Sequence, residues 1–304
     1  MFVLKITIRK KQIFHKPSSS KAPPLWIRSI LVLTSTGVSF SHGSNDGQKG
    51  VGLVMMILIG IVPGFFAVNL KKNPSELNSS ITKIEIVMHR LDASVTSLAD
   101  NSVKENILLA NNKIDSLKTI VCNASSFKQI PETKHFEIRK DILLIAKTVD
   151  KILASLEGKD NIISTVEKAD LKKNISAIKT TTEYAPWWVI LMISLSLGIG
   201  TMVGWKRIVI TIGEKIGKTH MNYAQGAASQ LVAASTISAS SLLGLPVSTT
   251  HVLSSGIAGS MVAQEGMKNL QGKTLKNMGL AWLVTLPVTT VLSGTLFLLF
   301  RWIL

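Results

Sequence analysis

The sequence predicts an all-α polytopic membrane protein with a polar helical insert, and three observations predict it. The chain is apolar, with 46% hydrophobic and only 17% charged residues despite a formal charge of +16, whereas soluble domains average about 25% charged. Its mean hydropathy is +0.33. The charge is divided by region. Residues 71–185 hold 18 bases and 15 acids, while the rest holds 16 bases and three acids, Asp46, Glu214 and Glu265. Finally, apolar residues in the charge-balanced region recur at steps of 3 and 4, the period of one helix face. Bases flanking apolar spans explain the charge without a nucleic-acid surface. A single cysteine, Cys122, excludes a disulfide framework, and the apolar content excludes a wholly disordered chain.

Four segments follow. Residues 1–24 read as a basic cytoplasmic segment ending at Ala22-Pro23-Pro24. They do not read as a signal peptide, because the basic run follows the apolar Met1–Ile8. Residues 25–70 are membrane segments. Leu25–Ser41 falls just short of the ~20 residues that cross a bilayer. A polar cluster, Ser41–Gly50, comes next, and then Val51–Leu70, with a kink expected at Pro63-Gly64. If both stretches cross, the insert returns to the cytoplasm; if the first is partial, the insert lies outside.

Residues 71–184 are too polar to span. Their stripes are Ile81, Ile84, Met88, Leu91, Val95, Leu98; then Val103, Ile107, Ala110, Ile114, Leu117, Val121; then Ile138, Ile142, Ile145, Val149, Ile152, Leu156. Breaks at Asn101-Ser102, Ser125–Pro131 and Gly158 predict an antiparallel bundle of two to four helices. It is either a packed insertion or a partner-binding or sensing module.

Residues 185–304 return to the membrane. Trp187-Trp188 opens an apolar stretch as an interfacial belt would. Ala224–Leu245 and Val252–Ala263 are rich in Ala, Ser, Thr and Gly and meet at Gly244-Leu245-Pro246. The second is about half a bilayer long at ~1.5 Å per residue, so the pair reads as a re-entrant hairpin or broken helix, lining a cavity or buried in protein. Asn277–Arg301 is a full span containing Pro287.

Two polar clusters carry the chemistry. Asp46 is the acid embedded in the first apolar region, with Asn45 and His42 beside it. An intramembrane acid marks an ion or substrate pathway; the alternative is an interfacial loop, with Gly43, Gly47 and Gly50 making tight turns. The cluster lacks Walker A spacing, so nothing supports ATP hydrolysis. The second cluster, Pro246–His251, puts Ser248, Thr249 and Thr250 at a helix start, where free N–H groups attract an oxyanion; ordinary N-capping is the alternative. A carboxylate beside an anion site repels the anion unless it holds a cation, which is the logic of cation-coupled anion transport. Lys49 either neutralises Asp46 or the anion, or snorkels to the interface.

Ser41–Gly50 and Pro246–His251 resemble the two signature motifs of the inorganic phosphate transporter (PiT) family. Trp26-Ile27-Arg28 and Gly213–His220 are similar to its bacterial low-affinity permeases. The resemblance covers about 25–70 and 185–304 and leaves out the insert 73–184. It implies symport of inorganic phosphate with sodium or protons, as the anion or as a metal–phosphate complex, by a multi-pass protein of the cell inner membrane. It implies no cofactor and no enzyme activity. By motif, Ser248, Thr249, Thr250 and Asn45 would contact phosphate. Asp46, Asn45, His42 and the position of Gln230 would serve the coupling cation. Gln230 stands where the family usually has a glutamate, and a neutral amide supplies neither charge nor proton.

The family pairs two inverted repeats, each with both motifs, and this chain has each motif once. The expectation is therefore a C-terminal half. Its partners would be phosphate, the bilayer, and either a missing N-terminal repeat half or further copies of itself, with no nucleic acid. The competing expectations are a membrane-anchored sensor or interaction protein built around the insert, and a non-functional transporter remnant.

Overall fold

The computed structural model describes residues 11–17, 22–95, 101–158 and 162–303; most of the basic segment expected over 1–24 lies outside them. Ten α-helices follow in order: α1 (Leu25–Ile61), α2 (Pro63–Phe66), α3 (Pro74–Val95), α4 (Asn101–Val121), α5 (Glu132–Ser155), α6 (Thr165–Lys179), α7 (Trp187–Glu214), α8 (Tyr223–Leu242), α9 (Thr249–Glu265) and α10 (Gly272–Ile303). No strand occurs among the described residues, which hold one isolated bridge between Gly217 and Leu270. The chain divides into two compact units, one of residues 51–190 and one of 1–50 with 191–304.

In the first unit the three expected stripes form the core of a four-helix bundle, α3 to α6. Ile84, Met88, Leu91, Ile107, Leu117, Ile138, Ile142 and Val149 are all buried. The side chain of Val95 and residue Leu98 lie outside the described residues. Each helix alone gains too little to be stable in water, so the shared stripe supplies the stability. The chain enters the bundle through a break at Val62, where Pro63 starts α2. The following segment is pinned down. Asn69 N–H donates to the Thr181 carbonyl at 2.8 Å, and the Tyr184 hydroxyl donates to the Val68 carbonyl at 3.1 Å. Buried His135 sits between the Gly64 and Phe127 carbonyls.

A capping box starts α6. Ser164 accepts from Glu167 N–H, and the Glu167 carboxylate accepts from the Ser164 N–H and hydroxyl. These bonds, with Arg90 2.8 Å away, hold the Glu167 carboxyl below the usual carboxylate range.

In the second unit α1 departs from expectation. It runs unbroken for 37 residues, about 55 Å at 1.5 Å per residue, straight through the Ser41–Gly50 cluster that reads as a loop. Three glycines cost a helix about 1 kcal/mol each against Ala. Contacts from the cluster's polar side chains to other helices offset that cost. Only Gly50 is needed for close approach: a Cβ there would lie 2.9 Å from Ile193 Cγ2, while Gly43 and Gly47 face open space. The second stretch expected at Val51–Leu70 is therefore the end of α1 plus the pinned segment.

Helices α8 and α9 form an antiparallel pair. Asn222 at the start of α8 donates to Gln264 near the end of α9 at 2.8 Å, and the Ser229 and Ser260 hydroxyls bond at 3.0 Å. Gly244, with φ of 69°, ends α8 in the left-handed conformation that glycine adopts at no steric cost. The shorter partner, expected over 252–263, is longer: α9 spans 17 residues, about 25 Å, because Ser248 caps it earlier. Among the described residues two helical stretches are long and apolar enough to cross a membrane, Trp187–Lys206 and Gly272–Trp302.

Ile142→Ala should lower the unfolding free energy of the detergent-solubilised full chain by about 2–5 kcal/mol, the range for deleting a packed aliphatic side chain, while exposed Leu108→Ala stays within about 0.5 kcal/mol. Glu167 titrates lower in the folded than in the unfolded state. Its contribution is thus present above the unfolded value and lost as pH falls through the folded one. Denaturant melts should show Glu167→Gln less stable than the parent at pH 7 and indistinguishable from it in strong acid.

Candidate functional site

The polar residues of α1 recur on one face and meet α8 along its length. Thr34 donates to Gln230 Oε1 at 2.6 Å, and Gln230 Nε2 donates to the Ser35 hydroxyl at 3.0 Å. Further along, the Ser41 and Ser238 hydroxyls lie 2.7 Å apart, and Asn45 Nδ2 donates to the Ser241 hydroxyl at 3.0 Å. Such bonds fix the two helices against each other along their length. The ladder escapes sequence reading because its partners lie about two hundred residues apart; the 4- and 7-residue spacing of Thr34, Ser41 and Asn45 was the available signal.

The ladder delivers the end of the motif to the start of α9. Asp46 lies at the centre. Its Oδ1 is 3.1 Å from Lys49 Nζ and its Oδ2 is 3.3 Å from His42 Nδ1. His42 Nδ1 is also 2.7 Å from the Thr249 hydroxyl. With Nδ1 protonated, His42 donates to Asp46; with Nδ1 bare, it accepts from Thr249. Lys49 Nζ reaches past Asp46 to the Val247 carbonyl at 2.5 Å.

The three hydroxyls of the second cluster separate. Ser248 is the N-cap and accepts from His251 N–H at 3.4 Å. Thr249 is buried against His42, and Thr250 is exposed. The His251 ring lies 4.0 Å from that of Trp282 on α10, a contact the motif alone does not reveal.

Asn45 is 3% exposed, and its Oδ1 is a buried acceptor with no hydrogen-bond partner among the described residues. On the other side of His42 a cavity of about 570 Å³ lies between α1 and α7, lined by Gly43, Gly47, Ser194, Gly198, Thr201 and Trp205 among others. That volume suits a small ligand.

The structure therefore brings together His42, Asn45, Asp46, Lys49, Ser248 and Thr249. It does not bring in Gln230. Its rung at Thr34 is eleven residues before Asn45, about 16 Å along the helix axis, and both ends of its amide are engaged there, by Thr34 and Ser35. Among the described residues no group of three or more His, Cys, Asp or Glu could hold a metal ion.

Residues 2–293 match the phosphate transporter family. The chain belongs to that family. It is 39% identical to a low-affinity inorganic phosphate transporter of Buchnera aphidicola subsp. Acyrthosiphon pisum (strain APS), over 98% of this chain and 63% of the relative. It is likewise 39% identical to the low-affinity inorganic phosphate transporter PitA of Escherichia coli (strain K12), over 93% of this chain and 59% of the relative. A probable low-affinity inorganic phosphate transporter of Bacillus subtilis (strain 168) aligns over 38% of the chain at 34% identity. The chain thus spans about three fifths of the length of its long-matching relatives. No solved structure matches it significantly.

These matches correct two expectations. The chain is not a C-terminal half: 98% of it aligns to more than half of a relative. The insert 73–184, expected to carry no resemblance, lies within the family match.

Gly50→Val should destabilise the solubilised chain by about 1–3 kcal/mol, the usual cost of overpacking, and Ile193→Ala in the same chain should recover most of it in thermal melts. Gly43→Ala, made where nothing lies within 4 Å, should stabilise by up to about 1 kcal/mol through helix propensity alone.

Proposed function

We propose that this chain carries inorganic phosphate across the cell membrane by symport with a proton or sodium, as the free anion or as its neutral complex with a divalent metal. The observation that carries this reading is the convergence of His42, Asp46 and Lys49 on the start of α9 in a chain of the phosphate transporter family. Phosphate would sit at that helix end, held by Ser248 and Thr249 and by free N–H groups carrying the positive end of the helix dipole, while the exposed Thr250 would stay outside the site. The unpartnered Asn45 Oδ1 would accept from a phosphate hydroxyl or ligate a cation.

Asp46, with His42 and Asn45, would serve coupling, since the carboxylate and the imidazole can each hold a proton and His42 Nδ1 faces both Asp46 and Thr249. Gln230 would contribute by fixing α1 against α8. The α8–α9 pair would enter the bilayer as a re-entrant hairpin, its polar interior sealed by the Ser229–Ser260 bond, while α7 and α10 face lipid in a multi-pass arrangement. No covalent chemistry is required.

Uptake of labelled phosphate by a phosphate-transport-deficient host expressing the chain tests this. Thr249→Ala should reduce uptake about tenfold, the loss of one charge-assisted contact, and Asp46→Asn with Thr249→Ala should abolish it. Uptake that survives the double change would remove the site assignment.

A further inference from the structure

Asp46 poses a problem that its neighbours answer. Both of its oxygens are engaged, one by Lys49 and one by His42, so the chain itself supplies the positive charge that a carboxylate in this setting needs. The ammonium of Lys49 does more than neutralise. It also bonds the Val247 carbonyl, directly ahead of Ser248, the cap of α9. A carbonyl is a neutral acceptor, whereas an ammonium and an oxyanion form an ion pair whose Coulomb attraction adds to the hydrogen bond. An oxyanion arriving at the cap therefore outcompetes Val247 for the ammonium, while Asp46 keeps Lys49 oriented.

We propose that Lys49 is a tethered counter-cation and a strap. With no anion it ties α1 to the turn between α8 and α9, and on anion binding it exchanges the Val247 carbonyl for a phosphate oxygen, releasing that turn. This rests on the phosphate reading above and assigns within it the positioning of the anion's charge partner. Asp46 is then the anchor of Lys49, and the two act as one unit.

The test uses the full chain, with uptake kinetics and cysteine labelling. Lys49→Met should raise the KM for phosphate about tenfold with Vmax changed less than about twofold, as expected for loss of one charge-assisted contact. Lys49→Arg, which keeps the charge, should stay within about threefold of the parent. Because anchor and strap are one unit in holding the anion, Asp46→Asn should add little to the KM rise of Lys49→Met, whatever it does to Vmax through coupling, a non-additivity in KM that a double-mutant cycle reads directly. Val247→Cys keeps the backbone carbonyl, and Cys122 is the one native cysteine. In a Cys122→Ser, Val247→Cys chain, phosphate should speed maleimide labelling, and adding Lys49→Met should make labelling fast without phosphate. An unchanged KM in Lys49→Met, an arginine variant as impaired as the methionine one, multiplying effects of the two substitutions on KM, or labelling indifferent to phosphate would each overturn the strap while leaving the phosphate reading intact. A parent chain that takes up no phosphate overturns the phosphate reading itself.

Discussion

A carboxylate on a mostly apolar helix must find its compensation within reach of its own side chain. Asp46 finds it one turn before and one turn after itself, at His42 and Lys49. That constraint shapes the second unit. The three residues keep the helical spacing only if α1 does not break, so the motif is helix and not loop. An unbroken α1 in turn sets Ser41, Asn45 and Thr34 on a single face, where α8 supplies matching hydroxyls and amides. The antiparallel α8–α9 pair then returns the chain to the same end of the ladder, and the capped start of α9 arrives beside the carboxylate.

The insert follows simpler rules, and its sequence was the easier to read. Every described member of its three stripes is buried, because steps of 3 and 4 leave no other face for the apolar side chains. Its breaks fall where Pro131 and Gly158 prevent continuation. In the second unit, polar residues carry the information, and their meaning depends on partners far away in the chain. An interfacial loop was the alternative reading of Ser41–Gly50 because three glycines and seven polar residues lack local support for a helix. The support comes from Ser238, Ser241 and Val247, which no local window contains. For the same reason Val252–Ala263 looked shorter than α9 proves to be: the cap at Ser248 draws Thr249, Thr250 and His251 into the helix.

Of the site, the residue types and their two clusters were legible, but their roles around α9 were not. Three consecutive hydroxyls looked equivalent. Helical geometry gives each a different direction, so Ser248 caps, Thr249 turns inward to His42 and Thr250 faces out. Gln230 looked like part of the same site because it stands where the resembled family has a glutamate. Its distance along the ladder separates it, and its bonds to Thr34 and Ser35 make it a rung between helices.

The Lys49–Asp46 pair has one more consequence. The ammonium and the carboxylate sum to zero, so with neutral His42 the centre carries no net formal charge. It cannot draw an anion from afar: the field of such a pair fades within a few ångströms, and salt screens what remains beyond about 10 Å. On the proposed phosphate reading, long-range attraction falls instead to the 15 bases set against two acids elsewhere outside the insert, whose summed potential reaches into solvent. Capture and recognition are thereby assigned to different parts of the chain, the first sensitive to ionic strength and the second decided only at contact.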